Sequence, residues 1–231
     1  MDRAVVLMSG GINAAVAAAV AREHYQPALL HVAWGHRTAD RELSAFESLA
    51  NHFDIDQTHV AELPCMAAFG GNARVSRRIS IEDASVLGPS TPTTFPVALM
   101  PGMLSLAAAW AAGIGAKRII VGIGEDYRTT KTAISDWYPD YKRDFLQLFN
   151  LMITYAKPAD SELLVEAPLL DLSRCEVVKL GKRLGVPFGK TWSCYANSDA
   201  PCCRCLACAN RSAGFIQAGI PDPLLLEPAA T

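Results

Sequence analysis

The chain has 231 residues, 51% of them apolar, and carries a formal net charge of −2 with a pI near 6.2. That length can bury a full core, as one large domain or one domain with a small appendage. The near-neutral balance, without a Lys/Arg block or basic stripe, excludes the electrostatic footprint of a nucleic-acid binder and directs attention to small molecules or another protein as partners.

The N-terminus, Met1-Asp2-Arg3 and the apolar run behind it, lacks the h-region and cleavage site of a signal peptide. Arg3–Met8 is a β-prone run that ends in Ser9-Gly10-Gly11, and the alanine-rich segment Ile12–Arg22 has strong helix propensity. Glycines at such a turn let the backbone approach a ligand, and the helix N-terminus offers unpaired amides and partial positive charge to a phosphate. The same residues also make a plain tight turn. They form neither a Walker loop, lacking its Gly-Lys-Ser/Thr, nor the three-glycine dinucleotide fingerprint.

Ala28–Ala33 reads as a second strand. Ala39–Phe53 has a helical period in Leu43, Phe46, Leu49, Ala50 and Phe53, and Ile55–Ala61 is a third strand. His31 fits the core and His36 the surface, and neither is given a catalytic role. From about Cys65 to Pro96 the pattern breaks into a long Gly-, Pro- and Ser/Thr-rich loop, of a kind often used as a lid or binding segment. Val97–Ala116 has no charge and is long enough for a membrane span, yet Pro101-Gly102, Ser105, Gly113 and Gly115 interrupt it. A helix at about Gly102–Gly113 in a soluble core, with an apolar face that could also serve a homodimer, is the better expectation. Next come a strand at Arg118–Gly122, a helix at Tyr141–Tyr155, a strand at Leu163–Ala167 and a helix at Cys175–Leu184, which Gly185 and Pro187 stop. This alternation predicts a doubly wound parallel α/β sheet over residues 1–190. Residues 191–231 form a small tail, irregular around Pro221, Pro223 and Pro228.

Five of the seven cysteines fall between Cys194 and Cys208. Disulfide scaffolds spread their cysteines through short secreted chains, so this clustering points to a metal in a reducing, cytoplasmic compartment. Cys194, Cys202, Cys205 and Cys208 give Cys-x7-Cys-x2-Cys-x2-Cys, in which two-residue spacers let a turn bring adjacent thiolates to one zinc ion. Four thiolates close the shell, so the zinc is expected to be structural, with Cys203 spare.

Two resemblances follow from these residues. Ala4-Val5-Val6-Leu7-Met8-Ser9-Gly10-Gly11 resembles the opening of the ATP-pyrophosphatase-loop families, which read Ser-Gly-Gly-x-Asp-Ser. Thr191-Trp192-Ser193-Cys194-Tyr195, then Pro201-Cys202-Cys203-Arg204-Cys205-Leu206-Ala207-Cys208, Arg211 and Gly214-Phe215 resemble the tail of 7-cyano-7-deazaguanine synthases, with Cys203 in a usual Gly place. Glu166-Ala167-Pro168-Leu169, Trp34-Gly35-His36-Arg37 and Tyr138-Pro139-Asp140 extend the likeness along nearly the whole chain.

The resemblance implies an adenine-nucleotide alpha-hydrolase-like fold. It also implies ATP with magnesium, bound through Ser9, Gly10, Gly11 and Asn13, and a small carboxylate substrate near Tyr138 and Asp140. The implied reaction converts 7-carboxy-7-deazaguanine with ammonia to a nitrile, through an acyl adenylate, an amide and a second activation. Asn13 and Ala14 stand where the loop pattern has Asp and Ser, and Pro101-Gly102-Met103-Leu104 where the family reads Pro-Gly-Arg-Asn. An amide brings no negative charge to a metal. Arg128 and Lys131 in the segment 124–137 are candidates to replace phosphate contacts, or simply solvated charges. A paralogue acting on another carboxylate, or a non-catalytic nucleotide-binding scaffold, stays open beside the synthase.

Overall fold

The computed structural model describes residues 1–124 and 134–226. Its elements run β1 (Arg3–Leu7), α1 (Ile12–His24), β2 (Gln26–Ala33), α2 (Ala39–Phe53), β3 (Thr58–Glu62), α3 (Pro64–Phe69), α4 (Leu99–Gly113), β4 (Arg118–Ile120), α5 (Ile134–Trp137), α6 (Arg143–Ala156), β5 (Leu164–Glu166), α7 (Arg174–Arg183), α8 (Leu206–Ala218) and α9 (Pro223–Leu226). Every strand pairing is parallel, in the order β3-β2-β1-β4-β5. The chain winds outward from β1 in both directions, so the sheet is doubly wound as expected, with its switch point between β1 and β4.

Alternation along β1 builds two cores. Ala4, Val6 and Met8 face α1, α2, α7 and α8, whereas Val5 faces α4 and α6. Alanines dominate the buried face of α1, and their small side chains let that helix lie close on the sheet. Gly122, just past β4, makes the approach closer still. A Cβ on it would sit 2.5 Å from the backbone carbonyl of Asn13.

Boundaries differ from the expected ones where local chemistry shifts them. Strand β3 starts at Thr58 because the Ile55 amide is spent on Ala50 O, closing α2 over a left-handed Asp54. Helix α4 starts at Leu99 and takes Pro101 into its first turn, where a missing N–H costs nothing. The expected long loop holds α3 and a 3₁₀ turn at Ala84–Val86. Helix α8 is a feature that the sequence pattern did not disclose. It packs on α7 and sends Leu206 and Phe215 into the core. His36, expected at the surface, is 4% exposed and stacks on Trp34 with ring centres 4.6 Å apart. Arg128 and Lys131 lie outside the described residues.

Two glycines should respond oppositely to alanine. Gly122→Ala drives a methyl into the α1 backbone and is expected to cost about 2–3 kcal/mol. Gly102 lies within α4, and a methyl added there would meet nothing within 4 Å, so Gly102→Ala is expected to gain about 0.5–1 kcal/mol. Urea denaturation of the two variants checks both signs.

Candidate functional site

At the carboxyl ends of β1, β2 and β4 lies a cavity of about 240 Å³. A doubly wound sheet opens its crevice at this place, because loops leave the strands on opposite faces at the switch point. One end of the cavity is the N-terminus of α1. Ser9, Gly11, Asn13 and Ala14 line it. Gly11 is the N-cap, no side chain caps the helix, and no acidic residue sits in the first turn. The positive end of the helix therefore faces the cavity uncompensated.

Gly10, also expected to touch the nucleotide, does not line the cavity. Its φ is +82°, and a Cβ would lie 2.7 Å from Glu42 O and 2.8 Å from Ala45 Cβ, so its missing side chain accommodates α2. Its carbonyl accepts a 2.9 Å hydrogen bond from the Trp192 amide. A side chain at Gly10 would therefore strike α2 rather than enter a phosphate path.

The other wall is aromatic and polar. Tyr138, Asp140 and Tyr141 reach it from the turn after α5, with the Tyr138 hydroxyl 3.2 Å from that of Thr94. Burial pushes the Asp140 carboxyl up to about 6, and its Oδ1 has no hydrogen-bond partner among the described residues. Asn210 on α8 likewise lines the cavity with a buried, unpartnered Oδ1. These two acceptors suit the N–H edge of a ligand. Burial also raises the Tyr195 and Tyr141 phenols, so both stay protonated at neutral pH.

Glu42 and Arg74 belong to the same wall, and no motif in the sequence singled out either. Burial alone would raise the Glu42 carboxyl, but the His36 hydrogen bond, the Arg74 charge and the Thr38 hydroxyl outweigh it and hold it below its usual range. His36 Nε2 lies 3.0 Å and Thr38 Oγ1 2.8 Å from that carboxylate. For Arg74 the only signal in the sequence was a charged residue inside a loop too irregular to place. Arg211, quoted for the resemblance, also touches the cavity, but its guanidinium is spent on Asp222 at 2.6 and 2.7 Å and on Thr191 and Phe188. It ties α8 to the segment before Trp192. Met103 lines the cavity, whereas Leu104 is fully buried against the other face of the sheet. Asparagine at 104 would bury an unsatisfied amide, so Met103 alone is a meaningful position to change.

The Cys194, Cys202, Cys205 and Cys208 sulfurs lie within 4.8 Å of one another. Amides of Ala196 and Cys202 point at Cys194 Sγ at 3.3 Å each, and the Cys205 amide at Cys202 Sγ at 3.4 Å. Within this coupled group hydrogen bonding holds the Cys205 thiol down and pushes those of Cys194 and Cys208 up, so the thiols share their protons rather than titrate independently. The donor set is four sulfurs in one compact group, compatible with tetrahedral zinc. Cys203 stays exposed, its φ at +57°, a conformation that explains why a glycine would suit its place.

A family model described as Queuosine biosynthesis protein QueC matches residues 3–219. The 7-cyano-7-deazaguanine synthase of Chlorobaculum parvum is 33% identical over 97% of this chain and 96% of its own length. That of Chlorobium phaeobacteroides is 34% identical over 96% of each, and that of Koribacter versatilis 35% identical over 98% of this chain and 94% of its own. Among the described residues no helix is long and apolar enough to cross a membrane.

The Asp140 environment has a measurable cost. Its folded pKa lies above the unfolded value of about 3.9, so its contribution favours folding below pH 4 and is lost as pH rises through about 6. Asp140→Asn removes that loss. Its stability gain over the parent should be small at pH 4 and grow to about 1–3 kcal/mol at pH 7.5, measured by denaturation at both.

Proposed function

The chain belongs to the family of queuosine biosynthesis protein QueC, and from that membership we propose that it is an ATP-dependent 7-cyano-7-deazaguanine synthase-like ligase. It would join ammonia to a small heteroaromatic carboxylate, 7-carboxy-7-deazaguanine, through an acyl adenylate that releases AMP to give the amide. A second ATP would then activate the amide oxygen so that it leaves with AMP to give the nitrile. One observation carries this reading. A single cavity joins an uncapped helix N-terminus to a wall of aromatic rings and unpartnered acceptors. The first suits the phosphates of ATP and the second the polar edge of a planar base.

In that arrangement Ser9, the Gly11 amide and Asn13 hold the phosphates, while Tyr138, Asp140 and Asn210 hold the base. Closing both reactants in one cleft supplies the proximity on which acyl transfer depends. Magnesium would enter with ATP. Among the described residues the unpartnered cavity oxygens are those of Asp140 and Asn210, and with the neutral Asn13 amide at the α1 end they make a lean set for holding the ion alone. Zinc would sit in the four-cysteine nest and hold the tail rather than take part in chemistry, and reduced thiolates fit a cytoplasmic setting. The alternative of a paralogue or a silent scaffold rests on Asn13, Ala14 and Met103, which place apolar or neutral groups on the cavity wall.

Protein purified without added metal should contain one zinc per chain by elemental analysis, and Cys205→Ser should unfold the tail. Gly11 has room for a Cβ, with its nearest neighbours at 3.4 and 3.6 Å. Gly11→Val should therefore leave the fold intact and weaken ATP binding at least about tenfold by calorimetry. Asn13→Asp with Ala14→Ser should raise pyrophosphate release with the carboxylate by at least about tenfold, since a charge-assisted contact is worth a few kcal/mol. ATP binding without turnover in parent and double variant alike would select the scaffold.

A further inference from the structure

Arg74 is a buried cation for which the family reaction, as described above, has no task. It lies on the long segment between α3 and α4, and its backbone is fixed by the Arg37 amide at 2.8 Å and by its own amide on Asn72 Oδ1 at 2.9 Å. Its guanidinium carbon lies 4.9 Å from the Trp34 ring centre and 5.0 Å from that of Tyr195. Only 17% of the side chain is accessible, and the residue lines the cavity.

A buried arginine is expected to be fully paired, because an uncompensated charge in the interior is costly. Arg74 has one carboxylate contact, Nη2 to Glu42 at 3.3 Å, longer than the 2.7–2.9 Å of a strong charge-assisted bond. Its Nε has no partner among the described residues. Glu42 meanwhile makes closer contacts to His36 and Thr38. The rings orient the cation and Glu42 holds one of its nitrogens, yet neither saturates its five donors. Such a group is set to receive one more oxyanion.

We propose that Arg74 binds the carboxylate of the acceptor substrate and thereby selects carboxylates over their amides. The phosphate end of the cavity already has the α1 N-terminus and lies with Asn13, whereas Arg74 is held among aromatic rings. A guanidinium fork pairs with carboxylate and phosphate alike, so its place among the rings, apart from the α1 N-terminus, is what assigns Arg74 to a carboxylate borne on a heteroaromatic ring. Once the carboxylate becomes an amide, its charge is gone and the grip relaxes. This reading rests on the synthase assignment above.

Calorimetric titration of 7-carboxy-7-deazaguanine, its 7-carboxamide and ATP into the zinc-loaded parent, Arg74→Gln and Arg74→Lys tests it, with melting curves as the folding control. In Arg74→Gln the carboxylate should bind at least about tenfold more weakly, while the amide and ATP change less than about threefold. Arg74→Lys keeps the charge but loses the planar fork, and should fall between. An equal loss for carboxylate and amide would reduce Arg74 to a packing role. A loss confined to ATP would assign it to the phosphates, and either result overturns the proposal. If Arg74→Gln does not fold, Arg74→Lys decides, and carboxylate affinity equal to the parent's overturns it. A parent that binds neither 7-deazapurine fails at the synthase assignment itself, before any variant is compared.

Discussion

The chain leaving β1 has to pass between α2 and the segment that leads into the cysteine nest, and only a residue without a side chain fits. Gly10 does so at a φ of +82°, with its missing Cβ against Glu42 and Ala45 and its carbonyl held by the Trp192 amide. The hydrogen bond itself is worth about 1 kcal/mol, but the steric constraint has no substitute. It aims Gly11 and the first turn of α1 into the cavity. It also fixes Trp192, whose indole N–H donates to Cys194 O at 3.0 Å. The α1 end of the cavity and the cysteine nest are thus two sides of one backbone junction.

Charge is distributed along the cavity in a way that burial makes costly. The helix end supplies positive potential without any basic side chain in its first turn. On the opposite wall Glu42 is kept ionised by His36, Arg74 and Thr38, whereas Asp140 lacks such partners and is raised by burial. The two carboxyls therefore stand in different protonation regimes within one pocket. Paired groups hold the wall together, and unpaired ones remain for a ligand.

Most of the sheet was legible because β1 and β2 are short apolar runs that each lead into a helical period, and β1 with its Ser-Gly-Gly turn carries that signal most clearly. The clustering of Cys194, Cys202, Cys205 and Cys208 was equally plain, since spacing alone brings such ligands together. What escaped the sequence depended on contacts between distant segments. His36 looks like a surface histidine until Trp34 and Glu42 close over it. Arg74 looks like a solvated charge until the loop folds back onto Tyr195. Leu104 looks like a missing polar contact until the turn of α4 points it into the opposite core. Helix α8 hid behind its own cysteines, whose metal-ligand spacing drew attention away from the apolar positions Leu206 and Phe215.

The atoms nearest to where a Cβ of Gly122 would sit are backbone atoms of α1, the carbonyl of Asn13 and the amide of Ala14. The fold therefore grips position 13 by its backbone, while the Asn13 side chain is left half-buried at the cavity wall. At most positions near an active site, a change of reagent is also a change of architecture, and selection must solve both at once. At position 13 the two are separated. Half-buried Asn13 can trade its amide for a carboxylate with little effect on the scaffold, whereas Ala14 is buried in the core, so a hydroxyl there is also a change of packing. A lineage built on this junction can lose, regain or redirect its chemistry at position 13 while every strand and helix stays in place.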